Sequence, residues 1–213
     1  MFRNIIAKTV ENGFNVRDEY RHKSLPELKQ IAEHDTFPFR VCALNVEGDL
    51  NVGVAIRTAS LLGCEKFYIY GRRKLDRRSL VGAQNYLPIV RISGLTADNT
   101  LDEAGFWDFI EKENLYPVFV EQNGIPLDHV DWSDVLYSPD HCGYPKKNLC
   151  LVVGNESTGI PKPLLERGYP IVSIPQRGVL RSYNVSSAAS IVMYDFVRKR
   201  GYLLGVDKPE EAK

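Results

Sequence analysis

The chain has 213 residues, with 27 Lys plus Arg balanced by 27 Asp plus Glu, 44% hydrophobic residues and 25% charged ones. It is long enough for one sizeable core and too apolar and too neutral for a disordered polymer. The zero net charge excludes a partner held by whole-protein charge, as a histone-like nucleic-acid binder holds DNA, but not a local basic patch.

Residues 1–39 are polar and mixed, and read as an extension ahead of a domain spanning 40–213. A short helix is expected around Leu25–Ala32, with Ser24 as its cap, Pro26 near its start and Glu27 three residues after Ser24. Arg40–Val46 then reads as a buried strand. Asn51–Leu62 reads as a helix, started by Asn51 as N-cap and closed by Gly63. Lys66–Tyr70 is a strand rich in aromatic and β-branched residues. A basic loop follows, then a strand over Pro88–Ile92, a helix over Phe106–Glu113 and a strand over Tyr116–Glu121. Residues 123–147 are loop-rich. Asn148–Val153 and Ile171–Ile174 are the last strands, and Asn184–Arg200 is the last long helix, with Val185, Ala188, Ala189, Val192 and Phe196 on one face. Strands alternating with helices specify an α/β fold with a mainly parallel sheet and helices on both faces. In such sheets ligands sit beyond the carboxyl ends of the strands.

The first twenty residues, interrupted by Arg3, Lys8 and Glu11, lack the apolar run of a signal peptide. Nowhere do about 18 apolar residues run together, so no membrane span is expected. Cys42, Cys64, Cys142 and Cys150 form no CxxC pair, and three of them sit in apolar segments, which reads as reduced thiols in a cytoplasmic protein. His129, His141 and Cys142 follow no standard ligand spacing, so no metal is expected.

Three segments carry candidate chemistry. In Asn51-Val52-Gly53-Val54-Ala55-Ile56-Arg57-Thr58-Ala59, an arginine stands in an otherwise apolar helix and needs a partner. The residues alone leave open an internal ion pair or a ligand contact. In Val153-Gly154-Asn155-Glu156-Ser157-Thr158-Gly159, a strand runs into a turn with two glycines and one carboxylate. This suits either a tight strand–helix turn or close backbone approach to a nucleotide, and it has neither the P-loop nor the dinucleotide fingerprint. In Ile174-Pro175-Gln176-Arg177-Gly178-Val179-Leu180-Arg181-Ser182-Tyr183-Asn184, a long loop with two arginines joins a strand to the final helix. Capping explains one of these residues but not the loop.

Taken in order, the three segments resemble the signature motifs of the SpoU (TrmH-type) RNA ribose 2′-O-methyltransferases of the SPOUT superfamily. Asn51–Ala59 resembles the family's N-x-G-x-x-x-R-T-A. Gly154–Gly159 resembles its glycine–x–glutamate–x–x–glycine turn. Ile174–Pro175 and Ser182–Ser186 resemble its isoleucine–proline opening and S-L-N-V-S core, with Tyr183 where leucine is usual. The resemblance covers roughly residues 40–200. It implies a sheet closed by a C-terminal deep trefoil knot, S-adenosylmethionine as cofactor and a homodimer in which two subunits complete each site. The implied cofactor site is Val153, Gly154, Asn155, Glu156, Ile174, Pro175, Gln176, Leu180, Ser182, Tyr183 and Asn184. The implied catalytic set is Arg57, Glu156, Ser182 and Asn184. Arginine is effectively always protonated, so Arg57 is expected to hold the RNA phosphate and stabilise the developing alkoxide, with the other three orienting it and the ribose.

RNA contacts are expected from Asn51, Arg57, Arg177 and Arg181 and from the basic stretch Arg72, Arg73, Lys74, Arg77 and Arg78. The form of the third motif and the Ala83–Pro88 stretch look most like members acting on tRNA, at guanosine 18 of the D-loop. Ribosomal RNA is the alternative substrate, a knotted RNA-binding module without catalysis a second class, and a nucleotide-binding dehydrogenase a third that the missing GxGxxG disfavours. With no overall positive charge, RNA affinity must come from where the cations are placed. Replacing Arg72, Arg73, Arg77 and Arg78 by Ala is expected to weaken RNA binding and flatten its salt dependence, with cofactor affinity unchanged, as measured by filter binding over a salt series.

Overall fold

The computed structural model describes residues 14–71, 75–133 and 148–201. Six strands form one sheet: β1 (Phe37–Leu44), β2 (Cys64–Tyr70), β3 (Ile89–Ile92), β4 (Leu115–Pro126), β5 (Asn148–Val153) and β6 (Ile171–Ser173). Their spatial order is β3-β2-β1-β5-β4-β6, and every neighbouring pair is parallel. The helices are α1 (Leu25–His34), α2 (Asp49–Leu61), α3 (Arg77–Leu80), α4 (Glu103–Lys112), α5 (Lys162–Leu165) and α6 (Val185–Lys199). The α/β class and parallel sheet expected from the sequence are present.

The central strands are continuously apolar because both faces of the sheet are covered. Phe39, Val41 and Ala43 of β1 pack with Val52, Ala55, Ile56 and Ala59 of α2 and with Ala189, Val192, Met193 and Phe196 of α6. The intervening Cys42 and Leu44 pack on the other side with Tyr68 and Tyr70 of β2 and with Phe106, Phe109 and Ile110 of α4. Cys42, Cys64 and Cys150 are free and buried; Cys142 lies outside the described residues. Among the described residues no helix is long and apolar enough to cross a membrane.

Element boundaries move where capping and pairing decide them. Glu27 accepts the Ser24 amide at 2.7 Å, as the capping pattern predicts, and α1 continues to His34. β1 starts at Phe37 rather than Arg40 and ends before Asn45, which has φ 51° and donates its amide to the Tyr70 carbonyl. Asn51 is not the N-cap of α2: Gly48 holds that position and Asn51 lies inside the first turn. The helix expected from Phe106 starts at Glu103 because Asp102 caps it, accepting the Gly105 amide. The basic stretch contains α3, capped by Asp76. β4 runs five residues past Glu121, with a register shift against β6.

Chain order places the site. The path moves outward from β1 through β2 to β3, then crosses to the other half of the sheet, so β1 and β5 meet where the strand order reverses. Ligands of open parallel sheets bind at such a switch point, beyond the carboxyl ends of the strands. The first two motif segments leave β1 and β5 there, and the third leaves β6. Gly154 lies against backbone: a Cβ on it would be 2.5 Å from the Gly159 carbonyl carbon. Gly154→Ala is therefore expected to destabilise the fold by about 1–3 kcal/mol, the ordinary cost of forcing a methyl into packed backbone, read as a lower urea midpoint at unchanged slope.

Candidate active site

One carboxylate gathers the motif segments. Glu156 Oε2 accepts the Glu47 amide at 2.9 Å, and Oε1 accepts the Gly48 amide at 3.1 Å and Asn51 Nδ2 at 2.9 Å. The N-cap Gly48 has no side chain to cap α2. Glu156 supplies that cap from a residue more than one hundred positions away, and its charge lies at the positive end of the helix. Gly48 leaves room for it: a Cβ there would sit 2.9 Å from Glu156 Oε1. Burial pushes the Glu156 carboxyl up, but the bonds from Asn51, Glu47 and Gly48 together outweigh it and hold the group below its ordinary value near 4.5.

The chain of bonds continues into the third motif. Asn51 Oδ1 accepts Asn184 Nδ2 at 3.1 Å. Asn184 Oδ1 in turn caps α6, accepting the Ser186 amide at 2.9 Å and the Ser186 hydroxyl at 2.6 Å. Asn51, Glu156 and Asn184 are thus brought together, one from each segment. Asn155 shapes the turn itself. Its Oδ1 accepts the Ser157 and Thr158 amides, its Nδ2 donates to the Asn45 carbonyl at 2.9 Å, and its backbone pairs with Gly159 at φ 68°. Val153, at the end of β5, is buried in the core.

The other residues specified by the first motif also have structural partners. A Cβ on Gly53 would fall 1.6 Å from Ser79 Oγ, so glycine lets the crossover from β2 to β3 lie on α2. Thr58 accepts from Ser190 Oγ at 3.2 Å and Ala59 is fully buried, which fastens α2 to α6. Arg57 is the exception. It is exposed and makes no hydrogen bond or ion pair among the described residues. The internal ion pair that an arginine in an apolar helix suggests is absent, because Arg57 lies on the outward stripe Leu50–Val54–Arg57–Leu61. The three apolar members of that stripe are also exposed. Nor does Glu156 contact Arg57; its oxygens are engaged at the start of α2.

The segment from Pro175 to Asn184 is open. Ile174 packs on the core, whereas Pro175, Gln176, Arg177, Arg181 and Ser182 are exposed. Val179 and Leu180 are 103% and 80% exposed. Among the described residues the amides from Gln176 to Tyr183 make no backbone–backbone hydrogen bond. Tyr183, at the position where the family usually has leucine, closes the base of the loop: its hydroxyl donates to the Pro175 carbonyl at 3.2 Å. Free backbone groups beside exposed apolar side chains are what a planar nucleobase needs, edge hydrogen bonds and an apolar face, so the loop fits an adenosyl group.

Of the basic stretch, Arg72, Arg73 and Lys74 lie outside the described residues. Arg78 pairs with Asp76, 2.5 Å between Nη2 and Oδ2, so its charge is already matched. Arg77 is exposed, with no ion pair among the described residues. His129 is described, while His141 and Cys142 are not, and no group of three or more His, Cys, Asp or Glu suited to a metal occurs among the described residues.

A parallel sheet with loops converging beyond its strand ends is an α/β protein with a ligand site in the usual place, and comparison with known proteins narrows the class. Residues 38–194 match the SpoU rRNA Methylase family; the chain belongs to this family. A Staphylococcus saprophyticus protein assigned to the TrmH family of tRNA/rRNA methyltransferases is 28% identical over 74% of this chain and 57% of its own length. The mouse tRNA (guanosine(18)-2′-O)-methyltransferase TARBP1 is 26% identical over 79% of this chain and 10% of its own. This chain therefore spans just over half of the first relative and a small part of the second. The SpoU methyltransferase AviRb from Streptomyces viridochromogenes, solved with AdoMet, superposes with a TM-score of 0.58 at 23% identity, over 78% of this chain and 58% of AviRb. That likeness is of fold, and it matches the parallel α/β architecture seen here.

The capping role of Glu156 gives it a pH signature. Its folded pKa is depressed, so its stabilisation is fully present above the unfolded value and is lost as pH falls through the folded one. Glu156→Gln is expected to lower stability by about 1 kcal/mol at pH 7, the worth of a helix cap. In denaturant titrations from pH 7 to pH 3 the difference from wild type should shrink as the medium is acidified.

Proposed function

We propose that this protein is an S-adenosylmethionine-dependent RNA ribose 2′-O-methyltransferase, with tRNA as the favoured substrate and guanosine 18 as the favoured position. The observation that carries the reading is the isolation of Arg57. Asn51, Gly53, Thr58 and Ala59 each have a structural partner, and Arg57 has none among the described residues. An unpaired guanidinium on an apolar stripe suits a phosphate brought by another molecule. Family membership and the mouse tRNA relative support the activity and the choice of RNA.

S-adenosylmethionine, when bound, supplies a methyl group already activated on a sulfonium. The loop from Ile174 through Tyr183 and the turn from Val153 to Glu156 would hold it. The chain's remaining tasks are to place a ribose hydroxyl and to favour loss of its proton. Arg57 holds the adjacent phosphate and stabilises the alkoxide that develops. Glu156 and Asn184 act through Asn51, by fixing the start of α2 against both loops. Ser182, exposed near the end of the open loop, orients the ribose. Arg77, Arg177 and Arg181 contribute phosphate contacts.

A homodimer belongs to the same proposal. Leu50, Val54 and Leu61 on α2, and Ile191 and Tyr194 on α6, are exposed apolar residues on two helices packed against one another. A second copy laid on them removes this surface from water and brings Arg57 to the neighbouring site. Residues 1–39 are taken as an extension to the domain, and the buried reduced thiols fit a cytoplasmic setting.

Arg57→Ala separates binding from transfer. The variant is expected to bind S-adenosylhomocysteine as wild type does, and to transfer labelled methyl to tRNA about 10²–10³-fold more slowly, the scale for losing one charge-stabilising donor. Transfer at the wild-type rate would remove Arg57 from the mechanism.

A further inference from the structure

β4 does not run evenly to its end. Val120 and Ile125 both oppose Val172 of β6, so the four residues between them leave the ladder. Extra residues of this kind re-aim side chains and occur beside functional sites. Here the excursion passes close to β6: a Cβ on Gly124 would lie 2.5 Å from the Ile171 carbonyl carbon, and Ser173 Oγ donates to the Gly124 carbonyl at 2.9 Å. Two successive side chains of the excursion reach two different loops of the site. Glu121 Oε2 accepts the Ile160 amide at 3.2 Å, where the Gly154–Gly159 turn ends, and its Oε1 accepts the Gln122 amide at 2.9 Å. Gln122 Nε2 donates to the Arg181 carbonyl at 2.8 Å.

We propose that Gln122 is a positioning residue for the cofactor: through the Arg181 carbonyl it holds the 175–183 loop in place beside the Gly154–Gly159 turn, to which Glu121 ties the same excursion. The proposal rests on the reading that this loop holds S-adenosylmethionine. Among the described residues the loop makes two hydrogen bonds, one at its base from Tyr183 and one near its end from Gln122. The peptide unit is planar and trans. Fixing the Arg181 carbonyl toward Gln122 therefore also fixes the Ser182 N–H, which points the opposite way. A loop without a backbone ladder thus presents at least one donor in a set direction. Neither Glu121 nor Gln122 belongs to the three motif segments, and both lie outside the residues expected to form the site.

Gln122→Glu tests this with an isosteric side chain that has no donor, and Gln122→Ala removes the group. Gln122 is exposed, so the thermal midpoint should be unchanged in both. In the ligand-free chain, trypsin should cleave after Arg177 and Arg181 about fivefold faster in either variant, and S-adenosylhomocysteine affinity measured by calorimetry should fall by about the same factor, the size of one neutral hydrogen bond. Unchanged cleavage overturns the proposal, as does faster cleavage with unchanged affinity. The wild type is read first. If it binds no S-adenosylhomocysteine, the methyltransferase reading fails and the positioning role fails with it. If it binds and the variants match it, only the role of Gln122 fails.

Discussion

The arrangement of the site depends on one carboxylate meeting the start of one helix. α2 begins at a glycine with no side chain to cap it, and Glu156 accepts the amide of that glycine and of Glu47 before it from across the switch point of the sheet. The orphan amides of a helix start must find partners. Here the partner comes from the second motif, and the same oxygen binds Asn51 of the first, which in turn binds Asn184 of the third. Three segments distant in sequence are held by a continuous run of hydrogen bonds. Gly48 and Asn51 are half-buried and Glu156 and Asn184 exposed, so the run fixes the segments by shared bonds rather than by burial.

This fastening bears on how function is divided among the motif residues. The family resemblance assigns catalysis to Arg57, Glu156, Ser182 and Asn184. The geometry gives most motif residues positional work: Gly53 admits the crossover, Thr58 and Ala59 join α2 to α6, Asn155 forms the turn, Glu156 caps a helix. What remains for a ligand is Arg57 on an outward stripe, the open 175–183 loop with its exposed Val179 and Leu180, and Ser182. A rigid base carrying a few uncommitted groups is how a site gains precision without strain in the reacting residues.

Much of this was legible in the sequence because it follows local rules. The alternation of strands and helices, the capping box at Ser24 and Glu27 and the strand Asn148–Val153 all appear where pattern and capping chemistry place them, and of Ser182 and Asn184 it is Asn184 that caps the last helix. The motif positions that converge were also identifiable. What could not be read was nonlocal. Asn51 has the chemistry of an N-cap, but the cap is provided by Glu156, so the helix starts two residues earlier. The partner of Arg57 could not be decided from an apolar helix alone, since the answer depends on which stripe faces outward. Gln122 gave no signal at all: it lies after an expected strand, and its role arises only because β4 continues past a four-residue excursion. Arg78 read as a free cation until α3 brought Asp76 to it.

The central claim is that this scaffold delivers a methyl group to an RNA ribose. It is tested most directly by incubating the full chain with labelled S-adenosylmethionine and, separately, total tRNA and ribosomal RNA, then mapping the labelled nucleosides. The account predicts label in a 2′-O-methylated nucleoside of tRNA. Label on a base, or S-adenosylmethionine bound with no label in either RNA, would contradict it.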